Sequence, residues 1–299
     1  MSKRFLISAL VIAILAFSPR MHAQRAAGPA DPVAVDGWYL KPAANPLKGR
    51  TPGPAPKHDI TGIWEPARGS GDGIQASGAK AMPSDGKPEH ELPYTALGRQ
   101  TFMNHKPGWG VTEVPAAYVN DPVDKCDPPG FPRLDLSELR TTQIMQNDRQ
   151  VVLLYKFSKL WRSVWLDRDV PTSVPEPKWF GYSAGKWVDD TTLVVTTVGL
   201  DDRVWLDNAG RPQSSDIRVE ERFHRVDSDH LELTVTVTDP KMYTKPWVAM
   251  DKFPFRLLPA DFEMREQLCA PSETSEYDKL IADPASGADA TGPAAGDKK

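Results

Sequence analysis

The 299-residue chain is predicted to be an all-β protein, an antiparallel β-barrel of the lipocalin-like kind, with a β-sandwich as the alternative. Apolar residues through most of the chain recur with a period of two rather than 3.6, which is typical of strands with one buried face. Short polar turns separate these stretches, and few segments have helical spacing. A barrel of eight to ten such strands is wide enough to enclose one small ligand.

The N-terminal end, residues 1–23, has the pattern of a signal peptide. Lys3 and Arg4 precede an apolar run, 5–17, and cleavage is expected near Ala23–Gln24. The run is shorter than the roughly 20 apolar residues of a membrane-spanning helix, although an uncleaved anchor is the alternative. We therefore expect a periplasmic or secreted protein without an integral membrane segment after signal cleavage.

Composition divides the remaining chain into three parts. A Pro/Ala/Gly-rich linker is predicted at 24–57, a single β-rich domain at 58–281 and a disordered tail at 282–299. Loss of the signal peptide changes the formal net charge from −4 to −7. A mildly acidic protein has no electrostatic reason to hold nucleic acid or an anionic membrane, so neither is expected as a partner.

The only two cysteines, Cys126 and Cys269, are 143 residues apart and match no metal-binding spacing. In an oxidising compartment they are predicted to form a disulfide, which would stabilise the fold by roughly 4–5 kcal/mol in the chain-entropy model. Two buried free thiols are the alternative.

The predicted elements follow from local pattern and turn residues. Period-two alternation or β-branched runs predict strands at 141–146, 151–157, 160–167, 193–198, 217–223 and 231–237. The last two are joined by the polar turn 227–229 and should form a hairpin. Helices are predicted at 95–105, with Thr95 as N-cap, and at 272–281, with Ser272 as N-cap.

Glu221 is the most unusual residue of the predicted strands. It is in phase with Val219 and Phe223, on the face that should point inward, whereas Arg222 should point outward. A carboxylate in an apolar interior needs a partner or a raised pKa. Glu221 is therefore a candidate general acid/base or ligand-binding group, and a structural ion pair with Arg162 or Arg140 is the alternative.

Residues 181–185 match G-x-S-x-G, the pattern of a nucleophile elbow with Ser183 as nucleophile and His224 or His230 as base. The motif needs a strand-to-helix turn, but a polar turn and a β-strand follow it here. Two glycines around a short polar pair more often mark a bend or bulge between strands.

The nine tryptophans are many for this length and suggest a small-molecule site, with ordinary core packing as the alternative. Trp161, Trp165 and Trp205 are predicted as apolar walls of a barrel cavity. Polar contacts are predicted from Asp202 and Tyr243, together with Glu221 or Arg222.

No metal and no cofactor is predicted. Asp201, Asp202, Asp207 and Asp216 cluster around Trp205, but their spacing differs from that of an EF-hand loop. The histidines are scattered without an H-x-x-x-H pair, which argues against zinc.

As a set, several motifs resemble a large family of exported bacterial all-β proteins. The motifs are Cys126-Asp127-Pro128-Pro129-Gly130-Phe131-Pro132-Arg133, 179–187, 193–195, 202–210, Glu221-Arg222-Phe223, 239–247 and Glu266 with Cys269. The resemblance covers about residues 60–277 and implies an exported all-β domain without an established activity. Relatives often carry His before the Ser of Gly-x-Pro-x-Ser, where this chain has Gln213, so a mechanism that uses that imidazole would not transfer.

Three functions remain open from the sequence. The leading hypothesis is binding of a small aromatic or hydrophobic molecule in the barrel. The second is a cofactor-independent lyase, isomerase or hydrolase in the same cavity, with Glu221 as general base and Tyr243 or an Arg stabilising negative charge. The third is a structural or interaction protein, which would have a packed interior, an ion-paired Glu221 and an exposed apolar patch.

Overall fold

A computed structural model of the chain describes residues 49–67 and 83–285. The predicted signal peptide, most of the predicted linker and residues 286–299 of the predicted tail lie outside them. The strands are β1 Gly62–Pro66, β2 Thr142–Gln146, β3 Gln150–Tyr155, β4 Trp161–Trp165, β5 Tyr182–Trp187, β6 Thr192–Val198, β7 Arg218–Arg225, β8 His230–Thr238 and β9 Trp247–Leu257.

These nine strands form a closed barrel in which each strand lies beside its neighbours in sequence and β1 closes on β9. The prediction of an all-β barrel is confirmed, and the sandwich alternative is wrong. Every neighbouring pair is antiparallel except β4 and β5, which are parallel and joined by only two residue pairs, Val164↔Ser183 and Trp165↔Ala184. Parallel strands need a crossover connection, and residues 166–181 provide it.

The period-two pattern places side chains as predicted in the long hairpin of β7 and β8. Along both strands buried residues alternate with more exposed ones, and the pairing runs from Arg218↔Thr238 to Arg225↔Leu231 across the predicted turn. Glu221 occupies one of the inward positions and Arg222 lies on the exposed face. The register therefore separates the two side chains as expected.

A segment that precedes β2 fills one end of the barrel. It contains the short helix α2, Arg133–Leu136, and its side chains Phe131, Leu134 and Leu136 are fully buried in the same core as the inward residues of the strands. Because this segment leads directly into β2, it occupies the barrel end at which β2, β4 and β5 begin. Its apolar side chains take up the space that an interior ligand would need.

Two further α-helical segments precede β2 and follow β9 in the chain. Helix α1, Ala96–Asn104, is capped by the predicted Thr95, whose hydroxyl accepts a hydrogen bond from the Gly98 amide at 2.9 Å. Helix α3, Pro271–Tyr277, continues through a π-helical turn, Asp278–Ala282, into α4, Asp283–Ala285. Ser272 was expected as its N-cap, but the N-cap is Ala270, two residues earlier, because proline at the first helical position, here Pro271, is favoured.

The predicted disulfide is confirmed: Cys126 and Cys269 are bonded, with Cα atoms 5.4 Å apart. It ties the segment before α2 to the chain before α3. Within residues 49–67 and 83–285, no helix is long and apolar enough to cross a membrane.

Candidate functional site

Two adjoining features carry the chemistry of this molecule. The first, called here the lumen cluster, consists of Arg162 on β4, Glu221 on β7, Tyr155 on β3 and Asp135 on α2. Arg162 Nη2 donates to both carboxylate oxygens of Glu221, at 2.7 and 2.9 Å, and neither side chain is more than 1% exposed. The phenyl ring of Phe131 covers the guanidinium at 3.9 Å.

The electrostatics of the lumen cluster depend on Asp135 and its neighbours. Burial, followed by the neighbouring Glu221 carboxylate, raises the pKa of Asp135 well above its ordinary value. Burial also raises the pKa of the Tyr155 hydroxyl. Burial would lower the pKa of Arg162, but the charge of Glu221 outweighs it and the pKa is raised. The neutral form of Asp135 is therefore favoured beside the ion pair of Glu221 and Arg162.

Several polar atoms of the lumen cluster lack a hydrogen-bond partner among the residues that the structure describes. They are Arg162 Nε and Nη1, Asp135 Oδ2 and the Tyr155 hydroxyl. Buried polar groups are usually satisfied by protein or by ordered water. The lumen cluster thus combines a carboxyl group of raised pKa, an ion pair and unpartnered donors of Arg162, all buried away from solvent.

For Glu221, the structure selects one of the two alternatives left open by the sequence. The carboxylate is fully buried and bound by Arg162, whereas Arg140 donates instead to the Leu139 carbonyl. Tyr243, expected to act beside Glu221, does not belong to the same cluster: its hydroxyl donates to the Pro212 carbonyl at 2.8 Å. Of the two groups expected to act beside Glu221, an Arg or Tyr243, the structure places Arg162 there, and Tyr155 is the tyrosine next to the carboxylates.

The second feature is a groove of about 650 Å³ on the outside of the barrel, called here the outer groove. It lies where β4 and β5 diverge at the end of the barrel filled by α2. Three stretches of the chain line it. They are residues 159–163 with Trp165, on and just before β4; residues 168–171 of the crossover; and Lys178 with 180–183, leading into β5. The groove opens between β4 and β5 because these strands are paired at only two positions, so little backbone hydrogen bonding holds them together.

Aromatic and basic side chains line the outer groove. Trp161 is 63% exposed, and Trp165, Phe180 and Tyr182 are half-buried. Arg168 lies over the Trp165 ring at 3.9 Å and Lys178 lies over the Tyr182 ring at 4.2 Å. A cation thus lies over one face of each of these two rings, in the geometry of a cation–π contact.

Trp161 and Trp165 were expected as walls of an interior cavity, and that location is wrong. Arg162 and Val164 occupy the inward positions of β4, each at most 2% exposed. Because successive side chains of a strand point to opposite faces, the two tryptophans point outward. They line the outer groove instead.

Ser183 does not lie on a nucleophile elbow. It is inside β5, and its hydroxyl forms a 2.8 Å hydrogen bond with that of Thr197 on β6. His224 pairs with Thr192, five residues along β6 from Thr197, and His230 pairs with Asp227. The first glycine of G-x-S-x-G is explained by packing. Gly181 has φ +59°, and a Cβ there would lie 2.5 Å from the Val198 carbonyl oxygen, so only glycine fits.

The remaining predicted ligand contacts are dispersed. Trp205 is buried and stacks on His105 with ring centroids 4.4 Å apart, so it lines neither feature. Asp202 is exposed on the loop between β6 and β7, and Arg222 is exposed on the outer face of β7. The predicted group of Trp205, Asp202, Arg222 and Tyr243 is therefore not brought together.

Two members of the lumen cluster were not singled out from the sequence. Tyr155 continues the inward phase of Val151 and Leu153 on β3, a signal that period-two counting offers. Asp135 lies between Leu134 and Leu136 in a four-residue helix, where no periodicity shows which way it points.

Comparison with known proteins gives no relative to reason from: no family model, no curated protein and no solved structure matches this chain. The family resemblance stays a prediction. Within the part of the chain that the structure describes, no three His, Cys, Asp or Glu side chains are grouped so that they could hold a metal ion.

Proposed function

We propose that this protein binds a small aromatic molecule in the outer groove. The observation that carries the proposal is a groove of about 650 Å³ lined by four aromatic side chains, one of them an indole that is 63% exposed. Small-molecule sites have volumes of roughly 300–1,000 Å³ and are lined mainly by apolar and aromatic groups. A planar ligand between Trp161 and Tyr182 would bury surface that is otherwise in water.

The packing of the interior supports the outer location. Phe131, Leu134 and Leu136 occupy the lumen, so an interior ligand would have to displace core side chains. Displacement of large core side chains costs several kcal/mol, whereas the outer groove is open to solvent.

Isothermal titration calorimetry with 2-naphthamide, a neutral planar probe, tests the proposal. We expect saturable binding to the wild-type protein that weakens about tenfold in Trp161→Ala, because one stacking partner is lost. Trp109→Ala is the matched control, since Trp109 is 43% exposed and lies outside the outer groove. Absence of binding, or equal loss in both variants, would refute the proposal.

A second candidate is acid–base catalysis at the lumen cluster. The observation in its favour is that Asp135, whose pKa is raised, lies next to the Glu221 carboxylate and beside unpartnered donors of Arg162. Arg162 also lines the outer groove, so a ligand there would lie next to the cluster. Asp135→Asn should then abolish turnover of a bound compound and leave its affinity unchanged; turnover at the wild-type rate would reject catalysis by this group.

Export to the periplasm or outside the cell remains part of the proposal. The Cys126–Cys269 disulfide supports it, because disulfides persist mainly in oxidising compartments. Mass spectrometry of the protein isolated from its host should give a chain that begins at Gln24. An intact N-terminus on the purified protein would contradict signal cleavage.

A further inference from the structure

The outer groove carries an excess of positive charge. Three exposed basic side chains belong to residues that line it, Lys159, Arg168 and Lys178, against one acid, Asp169. The acid is 80% exposed and is bound by Lys186 at 2.5 Å, from outside the groove lining. A neutral ligand would make no use of this charge, and a cationic ligand would be repelled by it.

The three basic groups differ in what already binds them. Arg168 is paired with Asp167, and Lys159 Nζ donates to the Met264 carbonyl at 3.0 Å. Lys178, in contrast, makes no ion pair with any residue that the structure describes. Its ammonium group lies 4.2 Å from the centre of the Tyr182 ring, beside the aromatic wall.

We propose that the ligand of the outer groove is an aromatic carboxylic acid, with its ring against Trp161 and its carboxylate bound by Lys178. This inference rests on the proposed function and adds the chemical class of the ligand. An ammonium group next to an aromatic wall presents one charged donor at the edge of a stacked ring, which matches a carboxylate attached to a planar ring. Hydrogen bonds between charged partners are about twice as strong as neutral ones.

The test compares 2-naphthoate with 2-naphthamide, which have the same ring system and similar size but differ in charge. We expect 2-naphthoate to bind the full-length protein about tenfold more tightly at low ionic strength. Salt at about 0.5 M should reduce that difference, because exposed charges are screened. Equal affinities at low salt would overturn the acid preference and leave the aromatic groove intact.

Lys178→Met keeps most of the side-chain stem and removes the charge. We expect this variant to bind 2-naphthoate about tenfold more weakly and 2-naphthamide within about twofold of wild type. Lys245→Met is the matched control, since Lys245 is exposed and does not line the groove. If Lys178→Met still discriminates as wild type does, Lys178 is not the carboxylate ligand. If neither compound binds the wild-type protein, the proposed function itself fails.

Discussion

On β4, Arg162 is 2% exposed and points into the barrel, whereas the adjacent Trp161 is 63% exposed and points out. One strand thus supplies an ion-paired group to the lumen cluster and an aromatic wall to the outer groove. Inside, the charges of Arg162 and Glu221 are tolerated because they are paired, and burial raises the pKa of Asp135, which favours its neutral form. Outside, the apolar ring of Trp161 is left in water beside the outer groove.

The comparison separates the residues with strongly shifted pKa values from the residues that a ligand could reach from solvent. The lumen cluster holds the strongly shifted groups Asp135 and Tyr155, and such shifts often mark active sites but also occur in structural ion-pair networks. The outer groove has the volume and the access that a ligand needs. Four substitutions test which side chains support the fold and which are free to bind a ligand; they follow in order of their expected effect on stability, the largest first.

Glu221→Gln should have the largest effect, because it leaves the Arg162 guanidinium buried without an opposite charge. We expect the free energy of unfolding to fall by about 3–5 kcal/mol, measured by urea denaturation. The double variant Arg162→Met/Glu221→Leu should regain most of that loss, since no buried charge remains. Glu220→Gln, on the exposed face of the same strand, should change stability by less than about 0.5 kcal/mol. Equal losses in the two single variants would contradict a structural role of the pair.

Asp135→Asn should change how stability depends on pH. In the wild type the folded pKa of Asp135 is raised far above the value of 3.8 in an unfolded chain, so folding takes up a proton between these two values. Stability therefore falls as the pH rises through that window, by up to about 1.4 kcal/mol per pH unit. The variant lacks this proton, and its stability relative to wild type should increase from pH 4 upward in parallel urea titrations. A difference that stays constant from pH 4 to 8 would show that Asp135 is ionised.

Ser183→Ala should cost about 1 kcal/mol, because it leaves the buried Thr197 hydroxyl without its partner. The double variant Ser183→Ala/Thr197→Val should be closer to wild type, since both polar groups are removed. Thermal unfolding of the set checks this, and a double variant as unstable as the sum of the single variants would rule out the hydrogen bond as the cause.

Trp161→Ala should have the smallest effect on stability, less than about 0.5 kcal/mol, because the side chain is largely in water already. This near-neutral result is the counterpart of the expected loss of ligand affinity in the same variant. A large loss of stability on urea denaturation would mean that the indole supports the fold rather than a ligand.

Much of the fold could be predicted from local pattern. Period-two alternation placed β7 and β8 and put Glu221 inward and Arg222 outward, and Thr95 marked the start of α1. The candidate site could be predicted only in part. Ser183 and the two tryptophans of β4 do line the outer groove, but their common location depends on the parallel pairing of β4 with β5, which no local pattern shows.

By itself the sequence determined the all-β class, the disulfide and the in-or-out phase of most strands, because alternation, turn residues and a lone cysteine pair are properties of short stretches or of composition. Tertiary structure alone decided that Arg162 reaches Glu221 across the lumen, that α2 fills the barrel and that β4 and β5 diverge into a groove. These features join residues as far apart in the chain as Arg162 and Glu221. Their contacts exist only once the barrel closes, since closure sets which inward side chains meet and where two strands part.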